Sequence, residues 1–298
     1  MTTKNGIKFK DCTSDTCPIS ASVYGYNPSI AANGIFCALF AISFFLHIFQ
    51  GVKWKSWSFL ISMAIGVFGE AVGYGGRIMM HNDVFNGTAF KIQIICLTVA
   101  PAFLSAGIYL TLKHTVIVFG ASFSRIQPRW YTWIFIGCDI FSILIQALGA
   151  GIAAAGSHPQ TGNSIMIFGL SLQVFTLSLF GLLASEYAFR VYKFRHQLNS
   201  ASAQLRRSKY FKGLIIAIAV SYTTILIRCI YRVAEMAGGW RNSLMQDQAL
   251  FIVLDAVMCV IAVLVLNIFH PGFLFQEASA VSKGESTTAG SMELTSQG

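Results

Sequence analysis

Long apolar runs separated by short polar breaks recur along the chain. About 20 mainly apolar residues span a bilayer as a helix. Seven segments reach that length: 30–51, 57–80, 92–112, 131–155, 165–189, 213–235 and 249–269. The pattern predicts an all-α integral membrane protein, a bundle of seven transmembrane helices occupying residues 29–272. Residues 1–28 form a polar N-terminal tail without the apolar core of a signal peptide, so the first span is expected to act as its own insertion signal. Residues 273–298 are rich in Ser, Thr and Gly and are expected to be a disordered tail.

Composition points the same way. Hydrophobic residues make up 55% of the chain, charged residues 11%, and mean hydropathy is +0.62. Ordinary soluble domains carry about 25% charge. In a soluble protein the net charge of +9 would suggest nucleic acid; here its distribution reads as topogenic, and no nucleic-acid partner is expected. Lys53 and Lys55 follow span one, and Lys113, Arg125 and Arg129 follow span three. Arg190, Lys193, Arg195, Arg206, Arg207, Lys209 and Lys212 follow span five, and Lys283 lies in the tail. The opposite loops hold only Lys91 and Arg241, while Lys4, Lys8 and Lys10 lie far from span one. Positive charge gathers on the cytoplasmic side, which predicts an extracellular N-terminus and a cytosolic C-terminus. The basic stretch 190–212 can also touch anionic inner-leaflet lipids. Trp54, Trp57, Trp130 and Trp133 cluster at inner span ends, as an interfacial aromatic belt would.

Smaller signals follow from this topology. Cys12 and Cys17 lie in the tail and can pair if it is extracellular. The other five cysteines fall within apolar runs, where they read as small buried hydrophobes. Asn86-Gly87-Thr88 is a glycosylation sequon in an outside loop. No Cys/His spacing suggests zinc and no Walker motif is present, so no cofactor or metal is expected.

Seven ionisable residues are read as intramembrane: Glu70, Arg77, Asp139, Arg228, Arg232, Glu235 and Asp255. Each would cost about 2.5–3.5 kcal/mol at the centre of a lipid-facing helix, so they must face one another, water or a ligand. Glu70 and Arg77 are seven apart and share a face, as do Arg228 and Glu235, with Arg232 between them. Asp139 and Gln146 repeat the spacing. All but Asp139 fall at mid-depth or in the outer half of their spans; Asp139 lies nearer the inner side. Two readings stand: an outward-biased polar pocket, or an ion-pair network that staples spans two, six and seven together. Ala147/Gly151/Ala155 and Gly149/Ala153 form small-xxx-small stripes for close helix packing. Pro101 predicts a kink in span three, and His47 reads as a packed residue.

These residues also carry a family resemblance. Glu70-x-x-Gly73-Tyr74-x-x-Arg77, Ala100-Pro101-Ala102-Phe103 with Tyr109, and Asp139 with Gln146-x-x-Gly149-x-Gly151 stand in spans two, three and four. Gly169-Leu170-x-x-Gln173, Arg228-x-x-Tyr231-Arg232-x-x-Glu235 with Gly238, and Asp255 with His270-Pro271-Gly272 follow in order. Together they resemble the fungal lipid-translocating exporter family, the resistance-to-aminocholesterol type, over residues 24–272. One departure is that Gln248 and Ile252, next to Asp247, stand where the family has a Glu and then an aromatic.

The resemblance implies a plasma-membrane translocator or exporter of amphipathic lipids or lipid-like toxic compounds, such as sphingoid bases, sterol-like molecules and drugs. It implies no ATP hydrolysis. Its partners would be membrane lipids and an amphipathic small molecule. On this reading Glu70 and Asp255 meet a cationic head, while Arg77, Arg228 and Arg232 hold those acids ionised or meet a phosphate. Tyr74, Tyr109, Asp139, Gln146, Gln173 and Glu235 complete the candidate set. The alternative is a seven-helix lipid-sensing receptor or regulator without transport activity. An enzyme is disfavoured, since neither a zinc-holding His cluster nor a G-x-S-x-G elbow occurs.

Overall fold

A computed structural model describes residues 16–119, 128–155, 159–193, 208–239 and 242–273. Seven long apolar helices dominate it, and no strand occurs among the described residues. They are α1 (Ile30–Lys53), α2 (Trp57–Asn82), α3 (Gly87–Phe119), α4 (Pro128–Ala155), α5 (Pro159–Lys193) and α6 (Lys209–Ala237). The seventh, α7, runs from an α-helical turn (Gln248–Phe251) through a π-helical turn (Ile252–Val257) into a second α-helical stretch (Met258–Ile268). The protein is an integral, multi-pass membrane protein.

Most helices begin before the apolar run does, because local chemistry satisfies their first N–H groups. Asn86 Oδ1 accepts from the N–H of Thr88 and of Ala89, each at 3.0 Å, so α3 starts five residues ahead of the apolar window. Pro159 opens α5, in the first-turn position where a missing N–H costs nothing. The Ser208 hydroxyl accepts from Tyr210 N–H at the start of α6. Asp247, beside the departure noted in the sequence, caps α7 by accepting from Ala249 and Leu250 at 2.9 and 3.1 Å.

Each helix packs on the next, and α7 returns to α1, closing a ring. The third helix sits innermost: it touches α2, α4, α5 and α6, and 72% of its apolar window is buried, against 28% for α1 and for α4. Aromatic packing fills the middle, with Tyr109 against Phe180 (ring centroids 4.4 Å) and Phe40 stacked on Tyr74 (5.5 Å). Phe45, Phe49, Trp133 and Leu182 point outward, as lipid-facing side chains do.

Of the small-residue stripes on α4, the one through Gly149 and Ala153 makes a close helix contact. A Cβ on Gly149 would meet the Gly162 carbonyl of α5 at 2.7 Å, and one on Gly162 would meet Ala153 N at 2.4 Å. Nothing lies within 4 Å of Gly151, and Ala147 is exposed. The stripes are offset by two residues, which turns them to opposite sides of the helix.

The segment before α1 folds back onto the bundle. A short 3-10 turn (Ile19–Ala21) leads to Tyr24, which is buried, and to Gly25, whose φ of +70° suits glycine. His81 Nδ1 lies 2.7 Å from the Pro28 carbonyl, tying this segment to the end of α2. Cys17 is disulfide-bonded and the other five described cysteines are free; Cys12 lies outside the described residues. Asn86, the sequon residue, has its side-chain oxygen committed to capping α3.

Candidate functional site

Six of the seven ionisable residues converge where α2 and α6 end and α7 begins. The hub is Asp255, in the π-helical turn of α7. A π turn widens the helix by one residue and re-aims the side chains around it. Asp255 Oδ1 faces Arg228 Nε at 2.9 Å and Arg232 Nε at 3.7 Å, and Oδ2 accepts from the Tyr74 hydroxyl at 3.1 Å. Arg228 Nη2 reaches Glu70 Oε1 of α2 at 3.4 Å and also donates to the Leu97 carbonyl of α3. Arg232 Nη1 meets Glu235 Oε2 one turn along α6 at 2.6 Å. Glu70 and Asp255 are fully buried and Arg228 is 1% exposed. The charges therefore meet one another across α2, α6 and α7.

Arg77 differs from the other two arginines. It is fully buried, and no carboxylate pairs with it among the described residues. Its Nε donates to Asn33 Oδ1 of α1 at 3.2 Å and its Nη2 to the Tyr26 hydroxyl at 2.8 Å. The guanidinium carbon lies 3.9 Å from the Phe251 ring centroid and 5.0 Å from that of Tyr24. Aromatic faces are electron-rich and attract a desolvated cation. Phe251 supplies the aromatic contact from α7, one residue before Ile252. Tyr24 in turn accepts from Gln93 Nε2 at 2.6 Å. Burial pushes the Tyr24 hydroxyl pKa up to about 12 and raises that of Tyr26, against the opposing pull of Arg77.

Tyr109 and Asp139 stand apart from this network. Asp139 Oδ2 accepts from Ser105 Oγ of α3 at 3.2 Å, with Tyr109 close by. Further along α4, Gln146 Nε2 donates to Gln173 Oε1 of α5 at 3.2 Å. The candidates thus fall into three places: the charged network with Glu70, Tyr74, Arg77, Arg228, Arg232, Glu235 and Asp255; the Asp139–Tyr109 locus; and the Gln146–Gln173 pair.

Around Arg77, sequence reasoning missed Phe251 and four polar partners. Asn33 and Gln93 are uncharged and cheap enough to insert that they raise no alarm in an apolar window. Tyr24 and Tyr26 belong to a segment read as tail. The available signal was a pair of aromatics two apart, just before the first span. Glu186, also inside an expected span, forms a half-exposed i,i+4 pair with Arg190 and takes no part.

Comparison with known proteins agrees with the fold and with the motifs. A family model described as "RTA1 like protein" matches residues 63–278. The sphingoid long-chain base transporter RSB1 of Saccharomyces cerevisiae is 33% identical over 90% of this chain and 77% of its own length. Protein RTA1 of the same yeast is 25% identical over 84% of each chain. Its protoporphyrin uptake protein 1 is 28% identical over 68% of this chain and 65% of its own. No solved structure matches. Matched residues include every charged member of the network, and the chain belongs to the RTA1-like family of fungal membrane proteins.

Proposed function

We propose that this protein translocates amphipathic lipids or lipid-like toxic compounds across the plasma membrane, with long-chain amines of the sphingoid type as its substrate class. The observation that carries the reading is Arg228 held between Glu70 and Asp255, fully desolvated at the heart of a seven-span bundle. Two carboxylates that hold a guanidinium can hold an alkylammonium instead, since each is a monovalent cation that answers their negative charge. The sphingoid-base transporter among its relatives supports that chemistry. A charged head cannot cross hydrocarbon cheaply. The network replaces the head's water while the tail remains in lipid, and Arg228 retains the Leu97 carbonyl when it yields a carboxylate. Positive-inside charge supports a reading in which the Tyr24–Tyr26 segment and the network lie toward the outer leaflet. No covalent chemistry is required of any residue.

Purified protein in liposomes should speed movement of a labelled sphingoid base, and Glu70→Gln should slow it. Rates equal to those of protein-free liposomes would overturn the proposal. Saturable binding without flux would instead establish a lipid-sensing role.

A further inference from the structure

The charged network is balanced: Glu70, Glu235 and Asp255 against Arg77, Arg228 and Arg232. Admitting a cationic head would leave a net charge buried in a medium where that is costly. Something nearby must change charge with it. Asp139 is a buried acid outside the network, within electrostatic range of Cys229, the neighbour of Arg228 on α6. It is 2% exposed, and no Arg or Lys pairs with it among the described residues. Ser105 Oγ donates to Oδ2, and the Tyr109 hydroxyl lies beside the carboxyl. The carboxyl thus faces hydroxyls and no countercharge, so its proton can be gained or lost without breaking an ion pair.

The groups around it are uncharged. From α3 come Ser105 and Tyr109, and from α6 comes Cys229, next in sequence to Arg228. The α5 helix crosses at Gly169, which abuts the Ser142 carbonyl and Gln146; one and two turns on, it carries the buried Gln173 and Thr176. Buried hydroxyls and amides continue in both directions along these helices: Thr111, Thr115 and Thr132 one way, Ser142 and Gln146 the other.

Resting on the translocation reading, we infer that Asp139 is a proton site that exchanges one proton for each cationic head admitted. In the empty protein Asp139 carries its proton. When the ammonium enters the network, the carboxyl O–H bond breaks, the proton leaves, and the carboxylate left behind balances the incoming charge. The reverse occurs on release. Reaction stoichiometry is one cation against one proton, so a proton gradient drives the lipid.

The test uses the full chain and N,N,N-trimethylsphingosine, a permanent cation that has no ammonium proton to lose. In weakly buffered detergent solution, binding of this probe to the unmutated protein should release about one proton per molecule bound; no release overturns the inference without any mutant. In proteoliposomes a gradient of one pH unit should raise its steady-state accumulation about tenfold. Asp139→Asn, which cannot ionise, should lose both the proton release and the stimulation, because no carboxylate then balances the bound cation, and Asp139→Glu should restore both. Stimulation that survives Asp139→Asn, or wild-type flux indifferent to the gradient, overturns the proton site alone. Absence of wild-type counterflow would instead overturn the translocation reading beneath it.

Discussion

Arg228 of α6 donates a hydrogen bond to the Leu97 carbonyl of α3, an oxygen that α3 itself leaves free. The residue four positions on is Pro101, which has no N–H to close the helical bond. The proline and the central guanidinium are thus one device. Pro101 exposes an acceptor, and Arg228 takes it while its Nε holds Asp255 at 2.9 Å.

Pro101→Ala tests that coupling. Alanine restores the missing N–H and gains about 3 kcal/mol of helix propensity. Arg228 then loses a charged hydrogen bond worth about 1.5–3 kcal/mol. The two effects oppose, so thermal stability in detergent should change little while lipid flux falls. Unchanged flux in a variant that unfolds at the wild-type temperature would show that Leu97 plays no part in the site.

Arg228→Gln should be far more damaging. It leaves Glu70 and Asp255 without the cation between them, and an uncompensated buried charge costs about 3–5 kcal/mol. Adding Asp255→Asn removes one of the stranded charges. The double variant should therefore be more stable than Arg228→Gln alone, with a coupling of about 0.5–3 kcal/mol in a thermal-unfolding cycle. Strict additivity would mean that the two side chains act independently.

The tyrosines of the N-terminal segment give a pH signature. Tyr26→Phe removes an acceptor from buried Arg77 and should cost about 1.5–3 kcal/mol, read by thermal unfolding at neutral pH. The Tyr24 hydroxyl titrates near 10 when unfolded and is raised to about 12 in the fold. Its folded form therefore holds the proton more tightly. Any stability from that difference is fully present below about pH 10 and is lost as pH rises toward 12. Between these values wild type should lose stability more steeply than Tyr24→Phe, while the two should run parallel from pH 6 to 9.

Seven spans and their approximate limits were legible because apolar length is a strong, local signal. The convergence of Glu70, Arg228 and Asp255 was legible because buried charge allows few alternatives. Phe251 and the π turn were not legible: apart from Asp255, Ile252–Val257 is uniformly apolar, and a one-residue widening leaves no compositional trace. Nor was the Arg77 environment, since neutral Asn33, Tyr24 and Tyr26 offer no charge to pair with it by arithmetic. The spacing of Glu70 and Arg77 suggested neighbours on one face, yet each finds its partners on other elements: Arg228 of α6 for Glu70, Asn33 of α1 and Tyr26 of the N-terminal segment for Arg77.

The α4–α5 crossing supplies a final test with an internal control. Gly162 faces backbone atoms of Ala153 and Gly149, so a methyl group there has no flexible side chain to displace. Gly162→Ala must push the two helices apart, and overpacking of this kind costs about 1–3 kcal/mol. The separation would also pull Gln146 from Gln173, which are joined across the same interface. Gly151→Ala, on the open face of α4, meets nothing within 4 Å and should match or slightly exceed wild-type stability, since alanine favours helix by up to about 1 kcal/mol. Thermal unfolding of both variants in one detergent reads the difference directly. Equal stabilities would show that the helices do not approach at Gly162, and the contact geometry described for α4 and α5 would then be wrong.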